Sequence, residues 1–209
     1  MKKIFWIIKL LIIMGMFVTA YYVYPAMPEK FPTHWNFDGH IDGYASKVFR
    51  VYLFPVLTLA IAFLMPLVCY MDPRKERFKP FAKPWEVIQF IFVLFLAYMF
   101  FVMLYIVAHP GVSMNPFMMM GLGILFVLLG NYMGKIRQNY TVGIRVPWTI
   151  DNEEVWNRTH RFGGWCFVVA GLIVMMNAYF NFISWLISLI TIILARESPS
   201  SILILFFDS

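Results

Sequence analysis

EVIQFIFVLFLAYMFFVMLYIVA, residues Glu86–Ala108, decides the kind of protein this chain makes. After Glu86 it carries no charge, and its apolar residues cover every side of a helical wheel rather than one stripe. A helix of that kind is buried all round, and about 20 such residues span a hydrocarbon core of about 30 Å. Working outward, four more segments read the same way: Ile4–Tyr24, Val51–Tyr70, Phe117–Gly134 and Phe162–Phe180. A shorter sixth, Asn181–Ala195, follows the fifth with almost no turn. Composition agrees: only 13% of the 209 residues are charged, and the mean hydropathy is +0.73. The expected fold is an all-α integral membrane protein of six transmembrane helices, with a structured outer loop and a structured inner loop. Residues 1–70 form a two-helix unit enclosing the outer loop 25–50, and 71–116 a basic turn, the third helix and a short turn. Residues 117–195 carry helices four to six and the inner loop 135–161, and 196–209 form a C-terminal tail.

Ile4–Tyr24 is longer than the apolar core of a secretory leader and is followed by Tyr-Tyr-Val-Tyr-Pro rather than a small-residue cleavage site, so it is expected to stay as a helix. Charge then sets orientation. Of the 17 Lys and Arg residues, only Lys30, Lys47 and Arg50 fall on one side of a six-helix topology. The other fourteen fall on the opposite side, which places both termini in the cytoplasm. The net charge of +6 is thereby topological and calls for no direct nucleic-acid binding. The Arg74–Lys83 cluster reads as a basic turn against the lipid bilayer. Cys69 and Cys166 have no metal or redox spacing and read as small packing residues.

The two long loops carry the information. In PTHWNFDGHIDGYASK, Pro32–Lys47, polar residues recur at every second position: His34, Asn36, Asp38, His40 and Asp42. That is the strand period, and Asp38-Gly39 is a hairpin-turn pair. The same residues imitate a calcium loop, but its first acid is missing and Ala45 stands where the bidentate Glu belongs. No zinc spacing supports a metal either, so neither metal nor cofactor is expected.

The inner loop opens with a second alternation, Tyr140, Val142, Ile144 and Val146 against Thr141, Gly143 and Arg145, ended by Pro147. Asp151 is placed to cap a helix with Glu154 as its partner, and Glu154 stands four residues before Arg158. Trp156, Thr159, His160 and Gly163 share a face, which predicts an amphipathic helix in the inner interface leading to the fifth span. Asn157-Arg158-Thr159 is a chance glycosylation match on that side of the membrane. His160 has no Ser or Cys nucleophile beside it, and the spans hold Asn131 and Asn177 but almost no ionisable groups. Catalysis and ion transport are therefore disfavoured.

At these two loops the chain resembles the SdpI-type toxin-immunity membrane proteins. The outer part of the resemblance is Pro32, His34-Trp35-Asn36, Asp38-Gly39 and Asp42-Gly43-Tyr44, which is similar to the domain of unknown function that opens these proteins. The inner part is Asn139-Tyr140, Gly143-Ile144-Arg145, Pro147-Trp148, Asn152-Glu153, Trp156 and His160-Arg161, which looks like the family's signature. The resemblance implies a non-enzymatic protein of the bacterial cytoplasmic membrane that protects against a secreted peptide toxin. It also implies a receptor that holds a transcriptional autorepressor at the membrane. Mapped here, His34, Trp35, Asn36, Asp38, Gly39, Asp42 and Gly43 face the toxin. Asn139, Tyr140, Gly143, Arg145, Pro147, Trp148, Trp156, His160 and Arg161 face the repressor. The competing expectation is a membrane-embedded enzyme or an envelope- or lipid-binding protein that uses the His34–Asp42 loop.

Overall fold

The computed structural model describes residues 2–35 and 41–180. In chain order they form α1 (Lys2–Val23), strands β1 (Lys30–Trp35) and β2 (Ile41–Ser46), and α2 (Lys47–Met71). A 3-10 segment (Lys75–Phe81) leads into α3 (Ala82–Ala108), followed by α4 (Asn115–Met133), the short α5 (Pro147–Asp151) and α6 (Glu153–Phe180). Among the described residues five helices are long and apolar enough to cross a membrane, and the chain is a multi-pass membrane protein. The expected sixth span, Asn181–Ala195, and the tail 196–209 lie outside the described residues.

The helices overrun the apolar runs that announce them, most clearly at α6. The amphipathic helix expected in the interface is not a separate element: it forms the first turns of α6, which continues through Arg161-Phe162 without a break. Nothing between Arg158 and Phe162 stops a helix, and Gly164 is held by packing on α4. The N-terminus is also capped differently. Asn152, not Asp151, supplies the oxygen, its Oδ1 accepting the amides of Glu154 (2.8 Å) and Val155 (3.2 Å). Asp151 is consumed as the last residue of α5. The expected Glu154–Arg158 ion pair is formed.

At one end, the hairpin end, β1 and β2 pair antiparallel as the alternation and the Asp38-Gly39 signal suggest. The turn itself lies outside the described residues. The register runs from Lys30 opposite Ser46 to Trp35 opposite Ile41, with shifts on either side of His34. Such irregularities re-aim side chains, so the period of two is not carried unbroken through the strands. Pro32, which has no N–H to donate, is tolerated because a two-stranded hairpin consists of edges. Lys47 anchors the hairpin's base. Its buried Nζ donates to the Pro25 carbonyl (3.4 Å), pairs with Glu29 (3.5 Å) and lies 4.7 Å from the Tyr24 ring centre.

α3 is the central helix and packs on α1, α2 and α4. Met16 and Ala20 of α1, Val51 of α2 and Phe100 and Met103 of α3 form one cluster without solvent or lipid access. Ile4, Ile7, Leu11, Met14 and Val18 of α1 point outward, where hydrocarbon can cover them. The α4–α6 contact works differently, through glycine. A Cβ on Gly123 would lie 2.7 Å from the Gly171 carbonyl oxygen, and one on Gly171 2.6 Å from that of Gly123. Gly130 and Gly164 repeat the arrangement at 2.6 and 2.7 Å. Each glycine is seven residues from its neighbour on the same helix, two turns apart, so the pairs line one stripe of an antiparallel contact. In lipid no hydrophobic effect drives helices together, and close backbone approach over small residues supplies the attraction instead. Replacement of Gly130 by Leu is expected to cost about 1–3 kcal/mol, the usual range for overpacking, and to lower the amount of folded protein in the membrane. Gly15, whose Cβ position is open, should accept the same change with no loss. Equal tolerance at both sites, measured by thermal denaturation in detergent, would refute this account of the pair.

Candidate functional site

Close contact between α4 and α6 brings Met133 and Glu153 to the same end of the bundle, the basic end. The loop between them must therefore fold back on itself, and its polar residues make this feasible. Asn139 is fully buried and occupies the centre of the turn. Its Nδ2 donates to the carbonyls of Arg137 (2.8 Å) and Val142 (3.0 Å), and its Oδ1 accepts the amides of Thr141 (2.9 Å) and Val142 (2.7 Å). One side chain thus closes four backbone groups that would otherwise be buried without partners. Residues 140–146 are not a strand, contrary to the alternation, because this turn and a positive φ at Gly143 leave them no strand to pair with. The alternation survives as burial only in part: Val142, Ile144 and Val146 are half-buried while Gly143 and Arg145 are exposed, but Tyr140 is exposed and Thr141 half-buried, against the expected pattern.

His160 is fully buried on α6. Its Nδ1 lies 2.9 Å from the Trp156 carbonyl, an acceptor, so Nδ1 carries the hydrogen. Nε2 then accepts the Ile144 amide at 2.9 Å. The imidazole is neutral, and with both nitrogens committed to the backbone it has none free for proton transfer. Gly143 is required twice at this point. Its φ of +116° favours glycine, and a Cβ there would collide with Nε2 of His160. Trp156 stacks on the imidazole at 4.0 Å, and its indole N–H donates to the Ile136 carbonyl (2.8 Å). Thr149, also fully buried, accepts the Val146 amide (3.0 Å) and holds Pro147–Asp151 against the loop.

A second set of bonds ties this loop to the connection between α2 and α3. Buried Asp72 accepts the Arg74 amide (2.6 Å) with one oxygen, and the Tyr140 amide (2.8 Å) and Thr141 hydroxyl (2.9 Å) with the other. Buried Gln138 donates to the carbonyls of Thr149 (3.1 Å) and Ile150 (2.9 Å) and accepts from Arg74 (2.9 Å) and Arg77 (2.7 Å). The Arg74 guanidinium lies 4.4 Å from the Tyr140 ring centre, and Arg77 reaches Glu153 at 3.2 Å. Below them Phe78, Phe81, Trp85, Ile88, Ile136 and Trp156 form one apolar cluster. Two arginines read as part of a basic turn against the bilayer are therefore also fasteners between loops. Asp72 and Gln138 escaped the sequence reading. The Asp72-Pro73 pair, an acid closing an apolar run, was the available signal for the first.

The residues expected to face a partner thus divide into two groups. Asn139, Trp156 and His160 are internal, and burial removes them from any contact surface; Gly143 serves the His160 contact. Tyr140, Arg145, Pro147, Trp148 and Arg161 are exposed, and Arg145 donates to the Tyr140 carbonyl. At the hairpin end, His34 pairs in register with Gly43 and Trp35 with Ile41, and Asp42 lies between the two partners on β2. Asn36, Asp38 and Gly39 lie outside the described residues. Among the described residues no three His, Cys, Asp or Glu side chains form a metal-binding group.

Comparison with known proteins agrees with both halves of this layout. Residues 135–198, which begin at this loop, match the SdpI/YfhL protein family. Residues 11–59, which contain the hairpin, match the domain of unknown function DUF1648. Over 175 residues, 84% of this chain and 82% of the relative, it is 25% identical to the immunity protein SdpI of Bacillus subtilis (strain 168). No solved structure matches.

Because the His160 ring accepts one amide and fixes one carbonyl, His160→Ala should free the loop without unfolding the bundle. The Ile144 amide, hydrogen-bonded to His160, is expected to be protected from exchange in the native protein and to lose that protection in the variant. Tryptic cleavage after Arg145 should accelerate, and Gly143→Ala should act in the same direction. Unchanged exchange at Ile144 in both variants would refute the lock.

Proposed function

We propose that this chain is a membrane immunity protein against a secreted peptide toxin, and that it also signals toxin to a cytoplasmic transcriptional autorepressor. The observation that carries the first part is the similarity to an immunity protein along most of both chains. The signalling part rests on the SdpI resemblance and on the exposed remainder of the signature. In this reading the hairpin end faces outward, and His34, Trp35, Asn36, Asp38, Gly39, Asp42 and Gly43 meet the toxin. The basic end faces the cytoplasm, where Tyr140, Arg145, Pro147, Trp148 and Arg161 form the repressor's surface. Trp and Arg are frequent anchors of binding energy, and Trp148 and Arg145 are within reach of a partner. The lock beneath them holds that surface rigid, which lowers the entropy lost on binding.

Deletion of the gene from its own host should make the cells sensitive to the supernatant of the parent culture, and the intact gene should restore growth. Survival of the deletion strain would end the immunity reading. In cells carrying a reporter of the repressed promoter, Arg145→Ala with Trp148→Ala is expected to preserve protein level and resistance but abolish induction. Trp156→Ala should instead lower protein level, and with it both resistance and induction. If the exposed pair can be removed with induction intact, the signalling surface lies elsewhere.

Orientation has its own test. In a background without Cys69 and Cys166, an impermeant thiol reagent applied to whole cells should label Ser113→Cys and spare Arg158→Cys, both exposed positions. The reverse pattern would invert the proposal.

A further inference from the structure

α2 is fastened at each end to a non-helical element. Its first residue, Lys47, follows β2 without a linker and is buried. The Lys47 Nζ holds the Pro25 carbonyl and Glu29, which closes the base of the hairpin. Among the spanning helices the hairpin packs chiefly on α2. At the far end of its 25 residues stands the buried Asp72, which accepts the Tyr140 amide and the Thr141 hydroxyl. Met65, Val68 and Cys69, in the last turns of α2, pack on the apolar cluster that contains Trp156. Asp72 thereby holds the residue on which the exposed face of the inner loop is built. Tyr140 carries the Arg74 guanidinium on its ring, and its carbonyl accepts from Arg145.

α2 also has places at which it can bend. Pro55 and Pro66 lie inside it, and each denies an amide to the carbonyl four residues earlier, that of Val51 or Ala62. Both of those residues are fully buried, so water does not replace the missing bonds. The helix is continuous, yet it can tilt at two points without breaking a hydrogen bond.

We propose that α2 couples the base of the hairpin to the exposed face of the inner loop, with Lys47 as the input and Asp72 as the output. A ligand that re-seats the hairpin displaces Lys47, α2 tilts at its prolines, and Asp72 releases Tyr140. Ile144 is held separately, by His160 on α6, so the movement is confined to Tyr140 and Arg145. The use of this coupling rests on the signalling reading above, but its existence does not, and its test needs neither toxin nor repressor.

The test is hydrogen exchange of the full chain in detergent, read at single amides. Lys47→Met keeps a long side chain and removes its cation. The Tyr140 amide should then exchange several-fold faster than in the parent, while the Ile144 amide keeps its rate. Coupling between two sites is reciprocal, so Asp72→Asn should speed exchange in β2 several-fold. The turn 109–113, also at the hairpin end, should not change. Absence of either effect in a folded variant would overturn the proposal. So would equal acceleration of Tyr140 and Ile144, or of β2 and the turn, since that is general loosening. A parent chain that shows the coupling but gives no reporter response to toxin would retire the signalling reading alone.

Discussion

The contact of α4 with α6 over Gly123–Gly171 and Gly130–Gly164 is the constraint from which the basic end follows. Carbonyl oxygens occupy the space that side chains would fill, so the helices cannot separate slightly or slide without losing the fit. Their basic ends are held side by side, and the chain from Gly134 to Asn152 has little distance to cover and much length to accommodate. It does so by folding inward. Inward folding would strand backbone amides and carbonyls, and Asn139, Gln138 and Thr149 in the loop, with His160 on α6, receive them.

That explains why so polar a stretch lies between two apolar spans. Its polarity is mostly directed at its own backbone. Asp72, Arg74 and Arg77 extend the arrangement across to the α2–α3 connection, so two loops distant in sequence become one unit fixed to four helices. What remains exposed after this accounting is a small group: Tyr140, Arg145, Pro147, Trp148 and Arg161. The separation matters for function, because residues that hold the loop and residues available to a partner alternate along the same short stretch.

The helices were legible because a run such as Val87–Ala108 has only one stable environment, and the hairpin was legible because a period of two runs through an Asp-Gly pair at its middle. The glycine contact was not. Gly123 and Gly130 look like isolated small residues until a partner helix is known, and pairing with Gly171 and Gly164 is a property of two segments together. Asp151 was expected to cap where Asn152 does, a difference of one position that depends on where α5 ends. The internal role of His160 and Trp156 was hidden for a related reason. A face of Trp, Thr and His suits a helix lying in an interface as well as it suits one packed under a folded loop, and only the positive φ of Gly143 decides between them.

The interlocking of the two connections also has a temporal side. Asp72, Arg74 and Arg77 leave the ribosome well before Gln138, Tyr140 and Glu153, the groups that satisfy them. Through the synthesis of α3 and α4, that carboxylate and those guanidiniums must rely on water and lipid headgroups. The Phe78–Phe81–Trp85 cluster lacks Trp156 as its cover for as long. A chain stopped short of α6 therefore displays an apolar pocket without its Trp156 cover and an Arg77 without Glu153, and the first turns of α6 supply both. Closure of the lock thus marks the arrival of the first turns of α6.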